Sequence, residues 1–295
     1  APLDVSPEQL EAIGQTMALE IESGAMQLTA QDAMGTVDAP AFSVRSRTPG
    51  NLGGAAFNLQ RVAGYPVSLQ TVDPECGVPS QNPPTDSDAD QVPDNLTITF
   101  ALPACRFVDV DGSFELTGVI RVSDPLPGNA AMAFTMALDN FRVTFSSADL
   151  SGFVRRDGMT TVGATQTGLS QTVSWLESAQ ISGIPALGAD IDWSATFAAA
   201  QGTTITPGQP LPDGVYQPNG SFEFRQGNRS ANFSVTTVEP LQYSASCAEG
   251  VVAGTTMSPF SSGKVRVAVS NNRDMGYAEV TYAGCNEATV LYVNQ

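Results

Sequence analysis

The 295-residue sequence contains no histidine. Histidine is the commonest general base, a frequent metal ligand and the side chain that titrates closest to physiological pH. Its absence excludes hydrolases that depend on a serine–histidine or cysteine–histidine pair, and it excludes zinc sites that require imidazole. We therefore expect a protein that is not an enzyme.

Basic residues are also scarce. Lysine and arginine together number 13 against 30 aspartates and glutamates, which gives a formal net charge of -17, and Lys264 is the single lysine. Such an acidic surface repels nucleic-acid phosphates and anionic lipid headgroups, so we expect no nucleic-acid partner. Charged residues make up only 15% of the chain, and this balance favours sheets over helices.

No Cys-x-x-Cys pair occurs, so structural zinc and thioredoxin-like chemistry have little support. The four cysteines, which are Cys76, Cys105, Cys247 and Cys285, allow three pairings. We favour Cys76–Cys105 and Cys247–Cys285, because each closes a loop of modest length around turn-rich sequence. Each bond would stabilise the fold by roughly 3 kcal/mol, chiefly by restricting the unfolded chain. Both bonds would require an oxidising compartment.

No apolar run reaches the roughly 18 residues that indicate a transmembrane helix, so we expect no transmembrane segment. The sequence starts Ala1-Pro2-Leu3-Asp4, which is typical of an exported chain whose signal peptide has been removed. A lipoprotein whose acylated cysteine directly precedes Ala1 would look the same, so a lipid anchor at the N-terminus stays open. The expected location is extracytoplasmic: the periplasm, the cell surface or the secreted fraction.

Residues 1–35 form the N-terminal helical segment. Ser6-Pro7-Glu8-Gln9 combines an N-cap serine, a proline at the first helical position and a glutamine three residues after the cap. An apolar stripe follows at helical spacing, formed by Leu10, Ile13, Met17 and Ile21. We predict one amphipathic helix that packs on a sheet and either ends near Ser23-Gly24 or continues beyond it with a kink.

After residue 35 the apolar period changes to two. Short alternating segments, among them residues 153–155 and 160–165, recur about every ten residues with turn signals between them, which is typical of antiparallel sheets. The proline-rich passage 202–219 resembles a linker. It separates an antiparallel β region with an Asp-rich loop (36–201) from a C-terminal β region (202–295), unless the two form one continuous domain. The predicted fold class is mainly β: a large antiparallel meander, sandwich or partial barrel with one N-terminal amphipathic helix.

The Asp-rich loop over residues 85–95, the aspartate loop, is the one stretch whose spacing implies a definite chemistry. Its aspartates occupy positions 1, 3, 5 and 9, which are Asp86, Asp88, Asp90 and Asp94. Alternate carboxylates can surround one hard cation, and the carbonyl of Val92 is the expected seventh-position ligand. The spacing predicts a structural Ca²⁺ site; the alternative is a solvated acidic loop that binds nothing specific.

This loop resembles the calcium-binding aspartate repeats of thrombospondin type 3 modules and of linkers in bacterial outer-membrane proteins, over about ten residues. Two positions depart from calcium loops: Gln91 replaces a turn glycine, and Thr97 replaces the bidentate glutamate of an EF-hand. These departures argue against a high-affinity sensor. Further candidate ligands are Asn95, Asp109 and Asp111.

Two other acids, Asp190 and Asp192, would project from one face of a strand. Paired carboxylates suggest glycoside hydrolysis, in which they flank a sugar in a site lined by aromatic residues. Trp175 and Trp193 are the only tryptophans. An exposed strand face or a second cation site is the favoured interpretation of this pair, and a carboxylate-based hydrolase is the least favoured of three functions.

The leading function is a non-enzymatic exported interaction or scaffold protein, an extrinsic subunit of an envelope or surface assembly with protein partners. The chain looks in style like exported bacterial lipoproteins. The alternative is a periplasmic carrier of a hydrophobic or lipid ligand, because a helix on a curved, incomplete barrel is the architecture of periplasmic lipoprotein and lipid carriers. A cavity lined by phenylalanines would favour the carrier and a filled core the scaffold; these phenylalanines are Phe114, Phe141, Phe145, Phe222 and Phe224.

Overall fold

The structure is a computed structural model. It describes residues 5–26, 28, 76–81, 84–90, 92–109, 112–128, 133–147, 151–164, 168–183, 185–206, 209–249, 258–270 and 276–294. The candidate ligand Asp111 lies outside these residues, as do the side chains of Asp109 and Phe114.

The described chain contains an N-terminal helix, α1 (Pro7–Met26), a one-turn helix, α2 (Ala245–Glu249), and thirteen strands. The strands are β1 (Val78–Pro79), β2 (Asn95–Phe100), β3 (Arg106–Asp109), β4 (Gly112–Ser123), β5 (Phe134–Ser147), β6 (Ser151–Ala164), β7 (Gly168–Ile181), β8 (Leu187–Ala199), β9 (Gly214–Gln226), β10 (Arg229–Tyr243), β11 (Phe260–Val269), β12 (Tyr277–Ala283) and β13 (Thr289–Val293). This confirms the predicted mainly β fold with an N-terminal helix.

All these strands belong to one open antiparallel sheet whose order follows the chain, from β1 and β2 through β4 to β13. The exception is β3, which pairs with the first part of β4, whereas β2 pairs with the last part of the same strand. The last part of the predicted linker 202–219 belongs to β9, because that strand begins at Gly214. β8 and β9 are paired from Leu187↔Gln226 to Ala199↔Gly214. The two predicted β regions are therefore parts of one continuous sheet.

The strands are longer than their sequence signals suggest. The predicted strand 153–155 and the described part of the predicted strand 160–165 are one strand, β6, which ends at Ala164 and runs through Asp157-Gly158 without a turn. Gly158 has a φ of 138°, and a Cβ there would lie 2.9 Å from the Cα of Trp175 on β7. The glycine therefore allows close approach of neighbouring strands inside the sheet and does not end a strand.

One face of the sheet is buried and the other is exposed to solvent, as the alternation along β7 shows. Its buried residues are Leu169, Gln171, Val173, Trp175, Glu177, Ala179 and Ile181. The side chains between them are exposed and, apart from Leu176, are serine, threonine or glutamine. The buried face is the one that packs against α1.

The N-terminus of α1 is fixed by the predicted capping box. The backbone N–H of Gln9 donates to Ser6 Oγ at 3.3 Å, and the backbone N–H of Ser6 donates to Gln9 Oε1 at 2.9 Å. The helix passes Gly24 and ends at Met26. The stripe of Leu10, Ile13, Met17 and Ile21 is buried throughout.

The sheet curls around this helix. Glu11 accepts the backbone N–H of Tyr292 on β13, whereas Glu20 accepts a hydrogen bond from Arg156 on β6. The two glutamates are nine positions apart, and an α-helix rotates by about 100° per residue, so they lie on opposite sides of α1. Because strands far apart in the sheet order reach opposite sides of one helix, the buried face of the sheet is concave and α1 lies within it.

Candidate functional site

The aspartate loop connects β1 to β2, so it closes a hairpin at the edge of the sheet. The Cys76–Cys105 disulfide joins the two chain segments at the open end of that hairpin. At the other end, the N–H of Asp94 donates to the carbonyl of Thr85 at 2.9 Å. The structure also pairs Cys247 with Cys285, so both disulfides are those favoured from the sequence.

Three of the predicted ligands lie together. Asp86, Asp88 and Asp90 each offer a carboxylate oxygen, and these atoms lie within 4.8 Å of one another. Asp90 is only 3% exposed. Its N–H donates to Asp88 Oδ1 at 3.3 Å, and its own Oδ1 accepts the N–H of Val92 at 2.8 Å. The loop backbone therefore turns so that its first three aspartates converge.

Asp94 has a different position from the first three. Its Oδ1 accepts the N–H of Ser87 at 3.0 Å, and its Oδ2 accepts the hydroxyl of Ser87 at 2.5 Å. The hydroxyl bond and then the backbone bond lower the pKa of Asp94 below its ordinary value. Both carboxylate oxygens thus help to close the loop.

The additional candidates are divided between two places. Asn95 is exposed and begins β2, opposite Ser123 at the end of β4. The backbone of Asp109 pairs with Gly112 at the start of β4. Gly112 and Ser123 are eleven positions apart along β4, which is roughly 35 Å at the usual rise of a strand. Among the described residues, only Asn95 of this group lies next to the aspartate loop.

Asp124, which was not among the predicted ligands, lies beside the loop. It directly follows β4, is 6% exposed, and its N–H donates to the carbonyl of Pro93 at 3.0 Å. Burial raises the pKa of Asp124, the hydrogen bond from Leu126 opposes this shift, and the negative charges of Asp88, Asp94 and Asp86 raise the pKa further. The sequence signal was weak: an aspartate before a proline at a strand end also starts many turns.

A second cluster of charges lies between α1 and the sheet. Arg156 on β6 donates through Nε to Glu177 on β7 and through Nη2 to Glu20 on α1, the latter at 3.1 Å. The guanidinium group also lies over the ring of Trp175, 5.5 Å from its centroid. The side chain of Arg156 is 18% exposed, that of Glu177 is 4% exposed and that of Glu20 is 13% exposed. One cation thus holds two buried carboxylates.

Burial and charge act in opposite directions within this cluster. Desolvation raises the pKa of Glu177 to about 7, against the opposing effect of Arg156 and with a further increase from Glu20. Burial alone would lower the pKa of Arg156, but the two carboxylates outweigh it and hold that pKa above its ordinary value. The sequence could have indicated the cluster, because Glu177 occupies an inward-facing position of β7 among mainly apolar residues.

Neutral hydrogen bonds fix the C-terminal part of α1 to the same face. Gln171 Nε2 donates to the carbonyl of Gly24 at 3.0 Å, and the hydroxyl of Tyr216 donates to Gln171 Oε1 at 2.8 Å. The hydroxyl of Tyr282 on β12 donates to the carbonyl of Ala18 at 3.2 Å. All three bonds are buried, so α1 is joined to the sheet by specific polar contacts as well as by its apolar stripe.

The paired acids on β8 lie away from the tryptophans. Asp190 and Asp192 point to the outer face of the sheet, where Asp190 is opposite Glu223 and Asp192 is opposite Ser221. Trp175 and Trp193 are buried on the inner face. The two tryptophan side chains therefore do not line the acids.

Comparison of the chain with protein-family models, with curated proteins and with solved structures finds no match. Within the described part of the chain, no helix is both long and apolar enough to span a bilayer. The two disulfides are consistent with an extracytoplasmic protein.

Proposed function

We propose that this protein is a non-enzymatic interaction or scaffold protein that acts outside the cytoplasm, as an extrinsic subunit of an envelope or surface assembly, and that calcium stabilises its aspartate loop. The observation that carries the proposal is that α1 occupies the concave face of the sheet. This face is where a curved sheet would offer a binding site, and here the chain's own helix lies in it.

The contacts of α1 support a permanent position for the helix. A Cβ at Gly14 would lie 2.8 Å from Ala278 Cβ and 2.8 Å from Val290 Cγ1, so the helix packs closely against β12 and β13. Displacing α1 would expose the buried cluster around Arg156 and break the bond between Gln171 and Gly24. A ligand that replaced the helix would have to compensate for all of these contacts.

A helix on a curved, open sheet is also the architecture expected of a carrier of a hydrophobic ligand, but the packing of the side chains gives the carrier less support. The phenylalanines that would line its cavity are largely in contact with neighbours: Phe222 stacks on Phe233 with ring centroids 4.7 Å apart, and Phe141 meets Phe100 edge-on at 5.4 Å. Phe145 and Phe224 are also buried. Side chains packed in this way favour the scaffold over the carrier.

Calcium fits the residues of the aspartate loop. Its converging donors are carboxylate oxygens, which hard divalent cations prefer, and the loop is held in place by the Cys76–Cys105 hairpin. An ion bound only by the folded protein stabilises it by about 2.7 kcal/mol at a concentration one hundred times its dissociation constant. We expect millimolar calcium to raise the melting temperature and a chelator to reverse the effect.

Native mass spectrometry of the protein from its natural source, before and after chelation, tests the proposal. We expect a mass excess that the chelator removes, together with protein subunits in stoichiometric amounts. A lipid-sized adduct in place of protein subunits would overturn the scaffold in favour of the carrier. A protein that shows neither a mass excess nor a shift in melting temperature in millimolar calcium would refute the calcium site.

A further inference from the structure

We infer that Asp124 is a ligand of a divalent-cation site that it forms with Asp86, Asp88 and Asp90. The inference rests on the proposed calcium loop and changes its composition. In this assignment, Asp124 replaces Asp94 as a ligand, although it lies 30 residues further along the chain. The carboxylate of Asp94 is instead hydrogen-bonded to Ser87.

The first argument is an unused oxygen atom. Asp124 is 94% buried, and its Oδ1 accepts the N–H of Leu126 at 2.7 Å. Its Oδ2 is also buried and has no hydrogen-bond partner among the described residues. Buried carboxylate oxygens are nearly always satisfied in native proteins, so the second oxygen of Asp124 needs a partner.

Asp88, whose charge acts on Asp124, repeats this pattern within the loop. Its Oδ1 accepts the N–H of Asp90 at 3.3 Å, while its Oδ2 is buried and has no hydrogen-bond partner within the described residues. In Asp88 and Asp124 alike, one oxygen fixes the side chain to the backbone and the other is left over. A cation between the two residues would satisfy both remaining oxygens.

The backbone brings Asp124 to the loop. Its N–H donates to the carbonyl of Pro93 at 3.0 Å, directly beyond the pair formed by Asn95 and Ser123. No basic side chain of the described chain forms an ion pair with Asp124 or Asp88. Buried carboxylates without a positive partner are unfavourable, and a bound cation supplies that partner.

The donor set identifies the class of ligand. Four carboxylates provide only oxygen atoms, which excludes a preference for soft thiolate-binding metals. The oxygens come from two separate chain segments, a loop and a strand end, and such a site suits the flexible geometry and higher coordination number of Ca²⁺ better than the strict octahedron of Mg²⁺. The structure thus assigns a calcium site that joins the β1–β2 hairpin to the end of β4.

Isothermal titration of the full chain with calcium chloride, and in parallel with magnesium chloride, tests the assignment. Asp124→Asn keeps the acceptor for Leu126 and removes only the charge and one ligand oxygen. We expect it to weaken calcium binding at least tenfold, since even changes outside the immediate ligand set commonly cost 10- to 100-fold. Asp192→Asn, which removes the same charge from an exposed position on β8, should leave the affinity unchanged.

The outcomes separate this inference from the proposed calcium loop. If Asp86→Asn weakens binding but Asp124→Asn binds like the unsubstituted protein, the loop binds calcium and the role of Asp124 is wrong. If the unsubstituted protein binds neither ion, the calcium loop itself is wrong, and this inference is wrong with it. Far-UV circular dichroism in chelator checks folding, and Asp124→Ser replaces Asp124→Asn if the latter does not fold.

Discussion

The buried charge cluster beneath α1 predicts that the protein loses stability as the pH rises from 5 to 8. The pKa of Glu177 is raised from 4.5 to about 7 in the folded protein. Its contribution is therefore fully present below pH 4.5 and is lost as the pH rises through 7, because the folded state holds a proton that the unfolded state has released. A shift of this size corresponds to about 3 kcal/mol, or a fall in melting temperature of roughly 5 to 10 °C.

The variant Glu177→Gln isolates this effect from the general repulsion in a chain of net charge -17. The amide oxygen can still accept the hydrogen bond from Arg156, but the buried carboxylate charge is absent. We expect the variant and the unsubstituted protein to have similar free energies of unfolding at pH 5. At pH 8 the variant should be the more stable of the two by up to about 3 kcal/mol.

Urea unfolding at pH 5, 6, 7 and 8 measures both proteins under matched ionic strength. Glu20→Gln serves as a second variant, because the charge of Glu20 contributes to the raised pKa of Glu177. It should move the midpoint of the pH dependence to lower pH. If Glu177→Gln is instead less stable than the unsubstituted protein at pH 8, then Glu177 is ionised and the attraction of Arg156 outweighs its desolvation.

Two further substitutions test the packing of α1. Gly24→Ala would bring a methyl group within 2.6 Å of Cζ2 in Trp193, so we expect urea unfolding to show a loss of about 1 to 3 kcal/mol. Gly128→Ala, where no heavy atom of the described residues lies within 4 Å of the new Cβ, should change little. Equal losses in the two variants would contradict the close packing of α1. Tyr216→Phe removes the donor to Gln171 and should cost about 1 to 3 kcal/mol at constant m-value, whereas unchanged stability would mean that this buried bond contributes nothing.

The local signals in the sequence predicted the fold class well. The capping box beginning at Ser6 and the alternation of apolar residues each depend on a few neighbouring positions, and both are present in the structure. The length of the strands was not predictable in the same way. A glycine such as Gly158 marks a turn or a close approach inside a sheet equally well, and only the position of Trp175 on the neighbouring strand distinguishes them.

The candidate site was only partly predictable for a similar reason. Asp86, Asp88 and Asp90 converge through a local turn, so their spacing was sufficient to bring them together in a prediction. Asp124 reaches the loop through the pairing of β2 with β4, which depends on the register of two strands. The cluster at Arg156 likewise joins a helix to two consecutive strands that lie more than 100 residues further along the chain. Contacts of this kind depend on how the strands pair in the sheet, and the spacing of residues in the sequence does not predict them.

The contact between Glu11 and Tyr292 has a consequence for the order in which the chain folds during synthesis. The first helix is made about 250 residues before the strands β12 and β13 against which its N-terminal half packs. At 5 to 20 residues per second, translation leaves this helix without that part of its packing surface for roughly 10 to 50 seconds. Throughout this interval the N-terminal half of its apolar stripe is exposed, and exposed apolar surface of this kind favours contacts with other chains.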